Sequence, residues 1–515
     1  MRLDKLWIGK FKNLINVTID FDETNLTTVL VGKNATGKSN LIEALVLIFR
    51  NLDLGRDPEF KYQLDYVCRN RRIHIDADPE RHKKHQITID GEPISFASFV
   101  KAPARQYLPN NVFGYYSGPS TRLEQYFDEH QERFYRQLLS GQKAPLRPLF
   151  YARAVHSQYV LLAFFSFEKE VPPFLKNYLR ITSFENANFI IKQPVWYKKS
   201  KDSGDTFWGA RGVVREFLDH LYSMAGKPKK KTVRVRLPWV MGWGRKKTEE
   251  QLDLRIPDWA SLRKLAGPYR NNVEFFKTLE STYISDLISE LRIEVTKEGV
   301  EGTLAFSELS DGERQLLTVL GLLRFTKEEE SLFLLDEPDT HLNPAWKLEY
   351  MDLLQDVVGK NESSHILIVT HDPLMIGGLT KDQVQIFSLN EDKRVTVVPP
   401  DEDPIGMGVA GLLTSEMFEL PTTLDKVTQQ KLDKKRELAT KDERTADEDS
   451  ELAKLNEELA RMGFMTDFRD TLYSLFLRAL RDYDLFKRPV LTKQQREQQA
   501  KIAGEIIARL EADRA

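Results

Sequence analysis

The sequence contains a single cysteine, Cys68, in 515 residues. One thiol excludes an internal disulfide framework and fits a reducing compartment. As a lone small apolar side chain, Cys68 is expected in the core. Long apolar runs are also missing. No stretch reaches 18 apolar residues, so no membrane-spanning helix is expected. The opening Met1-Arg2-Leu3-Asp4-Lys5-Leu6-Trp7 starts directly in strand-like alternation, without the apolar region of a signal peptide. These absences predict a soluble, cytoplasmic protein with no membrane partner. A dominant charge is lacking too. Lys and Arg number 75 against 77 Asp and Glu, a net charge of −2, so attraction to nucleic acid must come from local patches. His and Cys do not cluster at metal-ligand spacing, which argues against a zinc-type site. No internal repeat is visible. The 41% apolar content excludes a disordered chain, and the length suits two to four domains.

What is present begins with Val29-Leu30-Val31, followed by Gly32-Lys33-Asn34-Ala35-Thr36-Gly37-Lys38-Ser39. The segment fits G-x-x-x-x-G-K-[ST] without a mismatch. An apolar strand leads in, and the helical pattern Leu41, Ile42, Leu45, Ile48, Phe49 leads out, which is the context a phosphate-binding loop requires. Two glycines let successive backbone N–H groups turn toward phosphate oxygens. Lys38 supplies a cation for the β- and γ-phosphates and Ser39 a hydroxyl for Mg²⁺. The helix N-terminus, with Asn40 in its first turn, adds partial positive charge.

Along the chain, residues 2–31 are predicted as strands, with a helix from Ser39 to about Leu52. Alternation at Arg72–Ile75 and Gln86–Asp90 predicts two more strands, with Asp90-Gly91 as a turn signal. Val112–Tyr116 is a further core strand. Residues 120–300 are mixed, with a buried helix at Tyr159–Phe165, strands around Phe189–Tyr197, helices near Val213–Met224 and Asn272–Leu291, and a strand near Arg292–Thr296. From 305 to 390 the α/β alternation returns. Beyond Asp401 the periodicity is helical: Leu452, Leu455, Leu459 and Met462, then Leu472–Leu480, then Ile502, Ile506 and Leu510. The charged stretch Lys431–Ser450 is expected to be a solvated helix or linker.

A second chemical element is Phe333-Leu334-Leu335-Asp336-Glu337-Pro338. An apolar strand delivers two carboxylates to its C-terminal end, where open α/β sheets bind ligands. Asp336 is the candidate Mg²⁺ ligand, and Glu337 the candidate base for the attacking water. One carboxylate cannot easily do both jobs, because metal binding removes its basicity. A third element, Leu309-Ser310-Asp311-Gly312-Glu313-Arg314-Gln315, has Ser310 and Glu313 at capping-box spacing.

On these residues the chain resembles the ABC-type ATPases, in the subgroup of RecF, SMC and OLD-like proteins. The resemblance implies an α/β fold: a P-loop ATPase head with an antiparallel β subdomain, a long mixed insertion and a helical C-terminal region. It makes Ser310, Asp311, Gly312 and Glu313 the signature that clamps the γ-phosphate on an opposite subunit, and so implies a homodimer or larger assembly through the heads. It makes Asp339 the D-loop residue and His371, after the strand Ile366–Thr370, the switch histidine. The expected activity is hydrolysis of ATP to ADP and phosphate, with ATP and Mg²⁺ as cofactors. One part departs from the family: no glutamine follows Val112–Tyr116 at the Q-loop position, and Gln125 and Gln131 fall on helical segments.

Three further strings, Tyr115–Pro119, His156–Leu162 and Gly411–Ser415 with Phe418, resemble stand-alone anti-phage defence ATPases of the Septu type, also found beside retrons. That resemblance implies control of a separate nuclease of HNH type, with a reverse transcriptase and its DNA as further partners. Neighbouring alternatives are a PARIS-type ATPase with a Toprim partner and a RecF-like repair ATPase acting on DNA. Asp401-Glu402-Asp403 has the spacing of a Toprim pair, but it follows a hairpin and only helical patterns come after it, so the chain is not expected to be a nuclease itself. The segment 227–247 interleaves basic and aromatic residues without an acid. Lys229, Lys230, Lys231, Arg234 and Arg236 are therefore candidate contacts to nucleic acid or to a partner protein. The expected organisation is an N-terminal head lobe 1–119, an insertion 120–300, a C-terminal head lobe 301–400 and a helical region 401–515.

Overall fold

A computed structural model describes residues 1–141, 148–197, 205–225, 228–236, 246–326, 330–358, 364–441, 443–464 and 493–512. In chain order, the N-terminal part runs β1 (Arg2–Phe11), β2 (Leu14–Asp20), β3 (Thr27–Gly32), α1 (Lys38–Leu54), β4 (Tyr62–Cys68), β5 (Arg71–Ala77), β6 (His85–Ile89), β7 (Glu92–Ile94), α2 (Phe96–Val100) and β8 (Asn111–Tyr116). The middle holds α3 (Asp128–Leu139), β9 (Leu149–Tyr151), α4 (His156–Phe167), α5 (Pro173–Asn177), β10 (Ile181–Lys192), α6 (Gly212–Met224), β11 (Lys229–Arg236), β12 (Lys246–Ile256), α7 (Trp259–Ala266), α8 (Asn272–Ile284), β13 (Ile288–Lys297) and β14 (Leu304–Ala305). Then come α9 (Asp311–Thr326), β15 (Ser331–Asp336), α10 (Pro344–Val358), β16 (Ser364–Val369), β17 (Val384–Leu389) and β18 (Val395–Val398). The C-terminal part is helical: α11 (Gly408–Thr414), α12 (Lys426–Ala439), α13 (Ala446–Arg461) and α14 (Lys493–Ala512).

Three sheets form. The first is antiparallel, in the order β2-β1-β4-β5-β6-β7. The Asp90-Gly91 turn joining β6 to β7 has φ of 50° and 88°, as a tight hairpin requires. The second sheet has the order β18-β17-β3-β16-β15-β8-β9. Its strands β3, β16, β15, β8 and β9 are mutually parallel, so their C-terminal ends share one edge. β15 is buried at every position, as is β16, which matches their unbroken apolar runs. The third sheet, β11-β12-β10-β13-β14, lies in the middle segment. There α4, apolar from Tyr159 to Phe165, packs on α7, α8 and α9 and is buried almost all round.

The segment from Asn272 divides differently from its sequence pattern. The helix ends at Ile284 rather than Leu291, because Asp286 takes φ 61° and breaks it, and β13 begins at Ile288. The aromatic strand likewise starts earlier, at Ile181, and ends at Lys192. Cys68 is buried, and burial raises its thiol pKa to about 11, which keeps it an unreactive core residue.

The chain divides into two compact units. One comprises Met1–Leu30, Asn34–Met375 and Phe387–Val398; the other comprises Val31–Lys33, Ile376–Ile386 and Pro399–Ala515. In the second, α12 and α13 pack together through Leu438 and Leu459, with Lys431–Glu458 and Lys441–Glu448 ion pairs between them. The charged stretch from Lys431 is therefore a helical hairpin, with Thr445 and Glu448 capping its second helix. Leu472–Leu480 lies outside the described residues. Among the described residues, no helix is long and apolar enough to cross a membrane.

Candidate nucleotide site

The loop from Gly32 to Ser39 joins β3 to α1. Three residues in it have positive φ: Gly32 at 134°, Ala35 at 64° and Gly37 at 102°. A side chain at Gly37 would be strained, and its Cβ would also lie 2.8 Å from Asn13 Oδ1 and from Leu14 Cδ2. Asn13 comes from the β1–β2 turn. Its Nδ2 donates to the Ala35 carbonyl (3.0 Å), and its Oδ1 accepts from Asn40 Nδ2 (2.6 Å). Gly37 caps α1 without a side-chain hydrogen bond, and the first helical turn holds no acid. A glycine N-cap without a competing acid is the setting in which a helix N-terminus takes an anion. Lys33 pairs with Glu419.

The other candidates sit on the same edge of the parallel sheet. Asp336 ends β15 and is 2% exposed; Ser39 Oγ donates to its Oδ1 at 3.1 Å. Burial lifts the Asp336 carboxyl to about 6 and brings the Lys38 ammonium down to about 8, although each charge favours the other. Two poorly solvated, partly compensated charges facing an uncapped helix end fit a charged ligand better than a structural ion pair. Ser39 and Asp336 together form an oxygen donor set suited to Mg²⁺.

Glu337 adopts φ 54°, a left-handed backbone uncommon for any residue other than glycine. Its N–H donates to the Val369 carbonyl (2.9 Å), while its own carbonyl accepts from Thr340 Oγ1 (3.0 Å) and Gln315 Nε2 (3.5 Å). The turn aims its carboxylate outward, where Oε1 lies 3.8 Å from His371 Nε2 at the end of β16. The sequence-predicted pair is thus brought together. Asp339 is 5% exposed; Thr370 Oγ1 donates to its Oδ2 at 3.1 Å, and burial raises its carboxyl to about 6. Asp372 pairs with Lys347 at 2.6 Å, which anchors the segment carrying His371 to α10.

The signature residues form a true capping box. Ser310 Oγ accepts from the Glu313 N–H (3.2 Å) and donates to Glu313 Oε2 (2.9 Å), and the Ser310 N–H donates to the same oxygen (2.8 Å). Burial works against the Glu313 charge, but Lys297 and Ser310 hold its carboxyl below the usual range. Ser310 and Asp311 are exposed, whereas Gly312 is buried. A Cβ at Gly312 would fall 2.6 Å from the His341 carbonyl oxygen, so only glycine allows α9 this close to the turn after β15.

The Q-loop position contains no glutamine directed at the site. Gln125 Nε2 donates to the Arg122 carbonyl (2.8 Å) and Gln131 Oε1 accepts from Arg153 (2.7 Å). Ser117, just past β8, instead shares a hydroxyl hydrogen bond with Thr340 (2.8 Å). The basic segment is also changed by its surroundings. β11 pairs with β12, which carries Glu249, Glu250 and Asp253, and Lys230–Glu250 and Lys231–Asp253 ion pairs of 3.2 Å neutralise part of it. Lys229, Arg234 and Arg236 lie at register positions opposite Asp253, Thr248 and Lys246. Trp239, Trp243 and Arg245 lie outside the described residues. Sequence reading missed the roles of Asn13, Gln315, Thr340 and Asp372, which hold the motifs in place. Gln315, Thr340 and Asp372 each lie beside a motif residue in sequence, but their partners His341, Ser117 and Lys347 are distant along the chain; Asn13 is remote from every motif.

A phosphate-type loop, an acidic strand end and a histidine on one edge of a parallel sheet define a P-loop ATPase of the ABC type. Residues 98–377, over half the chain, match the family described as "AAA domain, putative AbiEii toxin, Type IV TA system", and the chain belongs to that family. Residues 1–137 match the "AAA ATPase domain". The chain is similar to the Septu protein PtuA of Bacillus mycoides, with 25% identity over 36% of this chain and 30% of that protein. It therefore spans about a third of the length of that relative. It is also similar to the "Retron Vc95 probable ATPase" of Vibrio cholerae, 20% identical over 80% of this chain and 78% of that protein. Among solved structures, the SMC head domain from Thermotoga maritima aligns over 78% of this chain and 99% of that one, at 13% identity and a TM-score of 0.32.

Proposed function

We propose that this chain is the ATP-binding and ATP-hydrolysing subunit of a bacterial anti-phage defence complex, in which ATP-dependent engagement of two heads controls a separate nuclease of HNH type. The observation that carries the ATPase reading is the meeting of Ser39, Asp336, Glu337 and His371 at one sheet edge beside the uncapped N-terminus of α1. The names of the Septu and retron relatives support the defence context.

In this reading residues 32–39 wrap the phosphates, with Lys38 as counter-charge. Ser39 and Asp336 would hold Mg²⁺, which would supply positive charge to the bound phosphates. Glu337 accepts the proton of the attacking water, and His371, within reach of its carboxylate, orients that water. The exposed Ser310 of one copy clamps the γ-phosphate bound by another, and Asp339 lines the seam between the copies. The head is built from 1–119 and 301–400, consistent with the in-register pairing of β8 with β15; 120–300 is inserted and 401–515 appended.

Phosphate release by wild type and Glu337→Gln tests the catalytic part. The variant should retain nucleotide binding and lose turnover by roughly 100-fold or more, the scale of a positioned general base. Equal rates would remove Glu337 from that role. Affinity capture from the native host tests the context: co-purification of a nuclease supports the defence reading, and recovery of DNA alone supports repair.

A further inference from the structure

The loop after β8 lacks the expected glutamine but brings a different side chain to the site. Arg122 reaches α1, where its Nε and a terminal nitrogen lie 2.8 and 2.7 Å from Glu43 Oε1, and it donates to Asn40 Oδ1 at 3.4 Å. Glu43 is 1% exposed, an acid buried one turn beyond the phosphate loop. It is held by Lys12 from the β1–β2 turn, and its Oε2 accepts from Tyr126 OH at 3.0 Å. Asn40 in turn binds Asn13, the residue that holds the Ala35 carbonyl of the loop. Lys12, Glu43 and Arg122 thus form a cluster of two cations and one carboxylate on the flank of the first turns of α1. The charge of Arg122 is felt at Asp336 as well. Two residues further on, Glu124 receives Arg153 Nε at 2.7 Å, which ties the same loop to the start of α4.

We propose that Arg122 is a positioning residue for the nucleotide phosphates: it fills the place of the absent Q-loop glutamine, fixes Asn40 and Glu43, and leaves the Lys12–Glu43–Arg122 cluster with one surplus positive charge beside the loop. The proposal rests on the nucleotide-site reading above. The physical argument is charge balance around a buried carboxylate whose two cations, Lys12 and Arg122, remain 43% and 39% exposed. Glu43 is an acid near a site that must accept a polyanion, and one cation would only cancel it. The second makes the flank attractive. Arg122→Ala reduces the cluster to neutrality. Removing the Glu43 charge as well returns it to one net positive charge, carried by Lys12.

The test uses the full chain and equilibrium binding of a fluorescent non-hydrolysable ATP analogue with Mg²⁺, at low and high salt, with thermal melting to confirm folding. Arg122→Ala should weaken binding roughly tenfold or more at low salt, as loss of a charge-assisted contact does, and less at high salt. Arg122→Lys should recover most of the affinity. The double variant Arg122→Ala/Glu43→Gln should bind clearly more tightly than Arg122→Ala, because the net charge is restored, while staying weaker than wild type for want of the Arg122–Asn40 contact. A folded Arg122→Ala that binds like wild type, or a double variant as weak as the single one, would overturn the proposal. Wild type that binds no nucleotide would instead remove the reading of the site, and this proposal with it. Lys38→Ala serves as the comparison for a lost phosphate contact.

Discussion

His365 offers a test of the fold that carries the site. It sits in β16, fully buried, with both ring nitrogens engaged. The Leu3 N–H donates to Nδ1 at 3.1 Å, and Nε2 lies 3.2 Å from Thr28 Oγ1. A backbone N–H can only donate, so Nδ1 must be unprotonated and Nε2 must carry the hydrogen. Burial, with the nearby N-terminus and Arg2, pushes the His365 pKa down to about 3. Unfolded, it would titrate near 6.5. The folded state therefore binds fewer protons than the unfolded state between these values, and stability falls as the pH drops through 6.5. The loss is about 1.4 kcal/mol per pH unit: roughly 2 kcal/mol at pH 5, approaching ~5 kcal/mol near pH 3. Above pH 6.5 His365 contributes no pH dependence. Hydrogen exchange of the peptide covering β1 reads this directly, because the Leu3 amide is the donor to the ring. Between pH 7.5 and 5, protection corrected for intrinsic rate should fall more in wild type than in His365→Gln, by the equivalent of ~2 kcal/mol, since glutamine can replace both bonds but does not titrate. The same loss in both proteins would refute the argument.

Two further substitutions probe the packing of α9 against the turn after β15. Gly312→Ala places a methyl against the His341 carbonyl, so either element must shift; the expected cost is about 1–3 kcal/mol in denaturant unfolding, with loss of ATP-dependent self-association measured by light scattering. Wild-type stability and association together would show that the turn yields freely. Gln315→Leu removes the acceptor of the His341 N–H (3.1 Å); because His341 is exposed, water can take up that donor and the expected cost is only about 0.5–1.5 kcal/mol. Steady-state phosphate release should show a lower kcat with KM for ATP nearly unchanged, and an unaltered kcat would exclude a role for Gln315 in holding Glu337.

The parts legible in the sequence are those encoded over short range. The phosphate loop, the strand ending at Asp336 and the box Ser310–Glu313 each occupy a few consecutive residues whose local conformation follows from glycine, apolar alternation or capping. Their arrival on one sheet edge follows from parallel strands. What was not legible depends on pairing across long separations. Arg122 meets Glu43 across 79 residues, and Ser117 meets Thr340 across 223. The basic segment looked cationic because its partner strand, with Glu249, Glu250 and Asp253, comes later in the chain. The break at Asp286 was hidden for a different reason: apolar spacing continued through it from helix into strand, so the period changed without a gap in hydrophobicity.

The backbone of Glu337 joins these long-range contacts into one mechanical argument. A left-handed φ at a glutamate costs of order 1 kcal/mol and persists only when its surroundings hold it. Here β16 holds its N–H, Thr340 and Gln315 hold its carbonyl, and Ser117 holds Thr340. Gln315 belongs to α9, the helix that the exposed Ser310 caps. A displacement of α9 therefore acts at Glu337 through a side chain and at His341 through a backbone contact at Gly312 that has no slack. If Ser310 engages a nucleotide on another copy, the force of that engagement is delivered to the base of its own site. Hydrolysis would then be sensitive to whether the neighbouring site is filled, and the dependence of rate on protein concentration at saturating ATP measures that sensitivity: a rate per subunit independent of concentration from nanomolar to micromolar, with monomers at the low end, would disconnect the two.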